Sequence, residues 1–225
     1  MAKNITAIKG LVAATFKDVE KNSQTDERTP VIAVSRGFGA QGRVVSKLLA
    51  EKIGVKHYDS ELIDKLLKEA KTDKSLLKLM DEQLTRNMDN WIYTMFGKGI
   101  TKGEYYRLLI KTVNLISQTG GVILGRGSHL ILSHDPNVFR LRVDGSLDAC
   151  SRRVASYNNM DLDEAKKLIR KTDSERIKFI KELYNRFPTS RSYYDLMVCT
   201  DYLSPEHVVE LTLRAMEMRG MHKTQ

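Results

Sequence analysis

A run of apolar residues followed by a glycine-rich turn constrains this chain more than any other feature. Residues 31–35 read Val-Ile-Ala-Val-Ser, which predicts a buried strand, and residues 43–53 have the apolar spacing of an amphipathic helix. Gly37 and Gly42 lie between them at the spacing G-x-x-x-x-G, which is typical of a phosphate-binding loop. Glycines suit such a loop because backbone N–H groups must approach phosphate oxygens without interference from a Cβ atom. The sequence therefore predicts an anion site at the N-terminus of this helix.

Two positions of the loop differ from the usual pattern. Arg43 stands where lysine is usual, and it keeps the positive charge but presents a planar fork of donors. Val44 stands where serine or threonine supplies a hydroxyl to Mg²⁺, so that ligand is missing. Ser35, Ser46 or a carboxylate acting through water are alternative replacements, among which the sequence does not choose. A glycine turn that only packs the helix against the sheet is the alternative interpretation of the loop.

Composition indicates one globular domain with a small appendage and anionic partners. The chain has 225 residues, with 41% hydrophobic and 29% charged residues, which is typical of a globular protein. Its net charge of +9 favours nucleotides or polyphosphates as ligands. No continuous run of lysine and arginine indicates a nucleic-acid arm, and no apolar stretch indicates a membrane span or a signal peptide. We therefore expect a cytoplasmic protein with no nucleic-acid or membrane partner.

The two cysteines do not indicate a metal site. Cys150 and Cys199 are far apart in the sequence and have no ligand spacing, so we expect two buried, reduced thiols.

Five short apolar strands alternate with amphipathic helices, which predicts an α/β fold. The sheet should be mostly parallel, with helices on both faces. The predicted strands are residues 31–35, 55–58, 122–124, 139–143 and 196–199. Ligands bind at the carboxyl ends of strands in such sheets. The segments that follow those ends are Ser35-Arg36-Gly37, Tyr58-Asp59-Ser60, Gly125-Arg126-Gly127 and Asp144-Gly145.

The chain divides into an N-terminal appendage and a main domain. Residues 1–29 are predicted to form a helix and a linker, and residues 30–220 the domain. We expect a helical insertion at about 60–118 and a lid at about 155–192. The N-terminal helix packs on the domain or on a second subunit in the favoured interpretation, with membrane-surface attachment as the alternative. That helix and the Met- and Tyr-rich segment 88–106 are candidates for a homodimer contact.

Two polar residues at strand ends each allow two interpretations. Arg126 lies between two glycines after a buried strand, where an arginine needs a phosphate or a carboxylate such as Asp59. Asp59 itself either caps the following helix or contacts a ribose hydroxyl.

A group of charged residues in the second half of the chain predicts a lid or a solvated face. Arg170, Asp173 and Arg176 are three apart and therefore share one face of a helix. Arg186 and Arg191 follow them. A basic lid of this kind would close over phosphates and stabilise the transferring charge.

Four segments together resemble the cytidylate-kinase-like branch of the nucleoside monophosphate kinases. They are Ser35–Arg43, His57–Ile63, Val122–Gly127 and Tyr194–Ser204. The resemblance covers about residues 31–215 and implies a three-layer P-loop kinase fold with a core, a monophosphate-binding insertion and a lid. It also implies ATP and Mg²⁺ as co-substrates.

The resemblance implies roles for particular residues of this chain. The ATP phosphate loop corresponds to Gly37, Phe38, Gly39, Ala40, Gln41, Gly42, Arg43 and Val44. Acceptor binding corresponds to Asp59, Lys65, Arg126, Asp173 and Arg176. Arg43, Arg126 and Arg176 are then the candidate catalytic residues, and Arg170, Arg186 and Arg191 belong to the lid. The metal ligand is not assigned.

The sequence departs from cytidylate kinases in the part that reads the base. Gly127 stands where an aspartate follows the acceptor arginine, and residues 73–118 do not resemble the usual cytosine-binding insertion. We therefore predict an ATP-dependent phosphotransferase acting on a nucleoside monophosphate, with CMP and dCMP as named candidates. A non-catalytic nucleotide-binding or regulatory protein and a kinase for another small acceptor are the alternatives.

Overall fold

The computed structural model describes residues 29–72, 103–184 and 190–221. These residues form two compact units, of which one contains residues 58–72 and 103–121 and the other contains residues 30–57 and those from 122 onward. The predicted N-terminal helix, most of segment 88–106 and Arg186 lie outside the described residues.

A five-stranded sheet has the order β2-β3-β1-β4-β5. The strands are β1 Val31–Arg36, β2 His57–Tyr58, β3 Gly121–Leu124, β4 Val138–Asp144 and β5 Leu196–Cys199. β1 pairs in parallel with β4, and β4 pairs in parallel with β5. The predicted α/β fold with a mostly parallel sheet is therefore confirmed.

The strand β2 is shorter than the sequence predicts. Its predicted start, Val55, donates its backbone N–H to the carbonyl oxygen of Ala50 at 2.9 Å, and that bond closes the preceding helix. The same residue is therefore part of a helix end, and the strand begins two residues later, at His57.

Within the described ranges, the larger unit has five α-helices and one 3₁₀ helix. They are α1 Gly42–Ile53, α4 Ser128–Ile131, α5 Leu147–Asn158, α6 Leu162–Tyr184 and α7 Pro205–Met218, with the 3₁₀ helix Arg191–Tyr193. Ser146 caps α5 by accepting a hydrogen bond from the Ala149 N–H at 3.2 Å, and Ser204 caps α7. α5 packs against α6, and α1 packs against α7. No helix among the described residues has both the length and the apolarity that a membrane crossing needs.

The core of the larger unit is built on β1 and β3. Their central residues are fully buried, namely Ile32, Ala33, Val34, Val122, Ile123 and Leu124. Val45 and Leu49 of α1 join this core, but Val44, which the apolar spacing placed on the buried side, is 46% exposed. One position along a helix is a rotation of about 100°, so Val44 at the helix N-terminus points away from the sheet.

The described part of the smaller unit contains two helices that pack together, α2 Ser60–Thr72 and α3 Gly103–Thr119. Asp59 caps α2, since its Oδ1 accepts a hydrogen bond from the Leu62 N–H at 2.9 Å. Ile63, Leu66 and Leu67 of α2 are buried.

The two cysteines are free thiols, but only Cys150 is buried. The expected burial of Cys199 is wrong, because its side chain at the end of β5 is exposed.

Candidate functional site

The loop between β1 and α1 has the backbone geometry of a tight turn. Gly39 has φ +81° and Gln41, at the N-cap of α1, has φ +62°. A Cβ atom on Gly39 would lie 2.9 Å from both the Cβ and the carbonyl oxygen of Cys150 in α5. Glycine is required there for packing as well as for backbone conformation. The loop therefore fits a phosphate-binding turn, and it also fits a turn that only packs the helix. The Gly37 N–H donates to the Val143 carbonyl oxygen at 3.0 Å, which ties the loop to β4.

The charge of Arg36, beside this loop, is opposed by three other arginines. The pKa of Arg36 is lowered to about 10, chiefly by burial of its guanidinium. The positive charges of Arg176, Arg43 and Arg126 contribute to the same lowering. We call these four residues the arginine cluster. The three that act on Arg36 are the candidate catalytic residues of the sequence, and each lies close enough to affect its charge.

Arg36 was missed as a site residue by the sequence reasoning. It precedes the first glycine of G-x-x-x-x-G and so lies outside the motif, although it ends a strand at the carboxyl edge of the sheet. That position was the signal that could have identified it.

A second pair of charged residues reaches the loop from α6. The Phe38 N–H donates to both carboxylate oxygens of Asp173, at 3.0 and 3.3 Å. Arg176 donates to Asp173 Oδ1 at 3.1 Å and to the Arg36 carbonyl oxygen at 3.3 Å. Its Cζ also lies 5.4 Å from the centroid of the Phe38 ring. Asp173 and Arg176 are therefore part of the loop's surroundings and not of a purely solvated helix face.

Arg126 lies in a turn of unusual backbone conformation. It has φ +52°, between Gly125 at φ +83° and Gly127 at φ +70°. A non-glycine residue in this region carries strain, which structures retain mostly at functional sites. The Cζ of Arg126 lies 5.7 Å from the centroid of the Phe179 ring of α6.

The other predicted site residues lie in different surroundings. Asp59 and Lys65 belong to the smaller unit, where Asp59 caps α2 and Lys65 is exposed on that helix. Arg170 on α6 and Arg191 in the 3₁₀ helix are exposed, and among the described residues neither side chain hydrogen-bonds to the loop. Arg186 lies outside the described residues.

The hydroxyl groups considered as replacements for the one missing at Val44 are used elsewhere. Ser46 is buried, and its Oγ donates to the Arg43 carbonyl oxygen at 2.9 Å. Ser35 Oγ accepts from Arg142 at 2.9 Å and from the Tyr194 hydroxyl at 3.3 Å. Both hydroxyls are thus engaged within the protein.

Asp144 is a second carboxylate beside the loop, in addition to Asp173. A Cβ atom on Gly37 would lie 2.8 Å from Asp144 Oδ1. Arg142 binds both oxygens of this carboxylate, with Nε and Nη2 each 2.8 Å away. Within the ranges that the structure describes, no three His, Cys, Asp or Glu side chains form a metal-binding group.

Arg153 is a further residue that the sequence reasoning did not identify. Its Nη1 donates to the Thr200 Oγ1 at 3.1 Å and to the Gly39 carbonyl oxygen at 3.4 Å. It therefore links the loop to the carboxyl end of β5.

A buried histidine lies behind the site. The Tyr194 hydroxyl lies 3.1 Å from His129 Nε2, and the two rings stack with centroids 4.9 Å apart. Burial lowers the pKa of His129 to about 3, with smaller contributions from the charges of Arg142 and Arg140. This imidazole is neutral at pH 7 and supports Ser35 through Tyr194.

The chain is similar to known proteins in sequence and in fold. The model of the cytidylate kinase-like family matches residues 31–202. A cytidylate kinase from Sulfolobus acidocaldarius is 25% identical over 198 residues, covering 85% of this chain and 96% of the relative. A cytidylate kinase from Methanobrevibacter smithii is 24% identical over 189 residues, covering 84% of this chain and 99% of the relative.

Among solved structures, an uncharacterized protein from Eubacterium ventriosum is similar with a TM-score of 0.69. It is 20% identical, and the match covers 85% of this chain and 99% of that one. At this identity the likeness concerns the fold alone.

Proposed function

The chain belongs to the cytidylate kinase-like family, and on that basis we propose that it transfers a phosphoryl group from ATP to a nucleoside monophosphate. The observation that carries the proposal is the convergence of four arginines on a glycine loop at the N-terminus of α1. Several positive charges beside a helix N-terminus favour a ligand with several negative charges. The two curated relatives named cytidylate kinases make CMP and dCMP the first acceptors to test.

Catalysis in this proposal consists of positioning and charge stabilisation without a covalent intermediate. Residues 37–44 bind the triphosphate of ATP. Arg43, Arg126 and Arg176 neutralise charge on the phosphoryl oxygens in the transition state. The acceptor is bound by five residues, Asp59, Lys65, Arg126, Asp173 and Arg176. The lid contains Arg170, Arg186 and Arg191.

Mg²⁺ completes the proposal, because it neutralises phosphate charge when it binds with ATP. Mg²⁺ usually keeps several waters and takes one or two carboxylates in addition to substrate phosphates. Asp144 lies at the edge of the loop and is a carboxylate that fits that requirement.

Turnover across common monophosphates tests the proposal. CMP, dCMP, UMP, AMP and GMP are offered separately with ATP and Mg²⁺, and ADP formation is measured by a coupled assay. We expect at least one acceptor to give turnover that falls about 100-fold or more in Arg126→Ala, because a charge-stabilising donor is lost. If no acceptor gives more turnover with the wild-type protein than with Arg126→Ala, the kinase proposal is wrong.

A non-catalytic nucleotide-binding protein is the second candidate function. The specific observation in its favour is that Val44 has no hydroxyl while the hydroxyls of Ser35 and Ser46 are engaged elsewhere. Calorimetry that shows ATP binding unaffected by Mg²⁺, together with no turnover, supports this candidate. Tight binding that requires Mg²⁺ contradicts it.

A kinase for another small acceptor is distinguished by the acceptor itself. A metabolite mixture incubated with labelled ATP would show label on a product that is not a nucleotide.

A further inference from the structure

The side chain of Arg36 occupies a space that two glycines leave open. A Cβ atom on Gly42 would overlap the Cβ of Arg36 and lie 2.9 Å from its Cγ. A Cβ atom on Gly125 would overlap Nη1 of Arg36 and lie 3.3 Å from its Cζ. The stem of Arg36 therefore passes the first residue of α1, and its guanidinium lies against the turn that carries Arg126. This places the guanidinium between the phosphate loop and the proposed acceptor arginine.

Other arginines of the same unit have a different environment. Arg140 donates from Nε and Nη2 to the two oxygens of Asp195, at 3.0 and 2.7 Å. Arg142 binds Asp144 in the same bidentate way. In both cases a carboxylate compensates the buried charge, so these two arginines stabilise the fold.

Arg36 lacks such a compensating carboxylate within the described part of the chain. No described acidic residue forms an ion pair with its guanidinium. The carboxylate of Asp173 favours its charge, but it is shared with Arg176 and with the Phe38 N–H. Three other arginines disfavour that charge. A buried guanidinium in this position is costly unless an anion binds beside it.

We propose that Arg36 is a catalytic residue whose guanidinium binds the phosphoryl group during transfer, between the loop and Arg126. The inference rests on the proposed function and extends it to a residue outside the glycine motif. An oxygen of the acceptor phosphate forms a bond to the γ-phosphorus of ATP, and the bond from that phosphorus to its bridging oxygen breaks. The bonding electrons leave with ADP, and Arg36 donates hydrogen bonds to the phosphoryl oxygens without transferring a proton.

Three variants test this role. Arg36→Met removes the charge and keeps the stem, Arg36→Lys keeps the charge but not the fork, and Arg214→Met removes an exposed arginine of α7 as the matched control. We expect Arg36→Met to lower kcat about 100-fold and to raise the KM for ATP less, because the contact strengthens in the transition state. Arg36→Lys should recover only part of this loss. Arg214→Met should change neither constant.

Binding of inorganic tripolyphosphate, measured by calorimetry, tests the same residue without turnover. Arg36→Met should weaken this binding about 10-fold, as expected for the loss of hydrogen bonds to a charged group, and Arg214→Met should not. The melting temperature of Arg36→Met should stay level or rise, because one of four positive charges that repel one another is removed. A residue that only supports the fold would instead lower the melting temperature.

The outcomes separate this inference from the proposed function. The role of Arg36 is overturned if the wild-type protein turns over and Arg36→Met keeps both its kcat and its tripolyphosphate affinity within threefold of the wild type. Absence of wild-type turnover on every monophosphate overturns the proposed function, and tripolyphosphate binding then decides alone whether Arg36 binds phosphate. If Arg36→Met does not fold, a folded Arg36→Lys with unchanged kcat and unchanged tripolyphosphate binding overturns the role.

Discussion

Two glycines with similar backbone conformations differ in what surrounds them. Gly54, at the C-terminus of α1, has φ +70° and no atom within 4 Å of a Cβ atom built on it. Gly125 has φ +83°, and the Arg36 guanidinium fills the corresponding space. Both positions favour glycine for conformational reasons, but only at Gly125 would a methyl group displace a side chain of the site.

We therefore predict different outcomes for two glycine-to-alanine substitutions. Gly54→Ala should lower the free energy of unfolding by about 1 kcal/mol, the cost of a left-handed residue, and leave turnover unchanged. Gly125→Ala should lower it by about 3 kcal/mol, since an overlap adds to the backbone strain, and should reduce turnover. Urea denaturation and the coupled assay measure the two effects. Equal losses of turnover in both variants would contradict this explanation.

At the scale of elements, α6 and the glycine loop depend on each other. Asp173 and Arg176 share a helix face because they are three residues apart. Their bonds to the loop join residues 135 and 140 positions apart in the sequence. The carboxylate of Asp173 thus accepts a hydrogen bond from the Phe38 N–H, in the loop that is proposed to bind phosphate. The negative charge of Asp173 opposes an incoming triphosphate at that position.

Asp173→Asn should bind ATP more tightly in the absence of an acceptor. The asparagine carbonyl oxygen can still accept from the Phe38 N–H, but the negative charge is removed. We expect the dissociation constant of ATP to fall about 10-fold, which corresponds to about 1.4 kcal/mol. Asp163→Asn, an exposed residue in the first turn of the same helix, is the control and should leave the constant unchanged. Unchanged or weaker ATP binding to Asp173→Asn would show that the carboxylate does not oppose phosphate.

At the scale of the whole molecule, the buried His129 links stability to pH. Its pKa in the folded protein, about 3, is below the usual value of 6.5. Between these two values the unfolded chain binds one proton that the folded protein does not bind. Stability therefore falls as the pH is lowered from 6.5 towards 3.

The prediction is that His129 accounts for about 2 kcal/mol of the unfolding free energy lost between pH 7 and pH 5. His129→Gln removes the titrating group. Between pH 7 and pH 5, the unfolding free energy of this variant should therefore fall by about 2 kcal/mol less than that of the wild type. His134→Gln, at an exposed histidine, serves as the control and should follow the wild type. Urea denaturation at both pH values gives the comparison. Parallel losses in wild type and His129→Gln would mean that other groups cause the acid sensitivity.

Much of the fold was predictable because local sequence carries the necessary information. Short apolar runs between amphipathic helices predicted the five strands, and Asp59 was a candidate helix cap because a cap bonds only to residues of its own first turn. The prediction was wrong where two local patterns compete. Val44 continues the apolar spacing of α1 but is exposed, and Val55 is used by a helix end instead of a strand.

The sequence by itself determined the strand, the glycine loop and the helix that follows, together with three arginines suited to phosphate. These features follow from the size, the charge and the local hydrogen bonding of neighbouring residues. Only the tertiary structure decided that Arg36 joins those arginines, that Asp173 bonds to the loop, and that Arg142 occupies both Asp144 and Ser35. The pairing of β1 with β4 brings Arg142 beside Ser35, 107 positions away in the sequence. The bonds of Asp173 and Arg176 to residues 38 and 36 likewise span 135 and 140 positions.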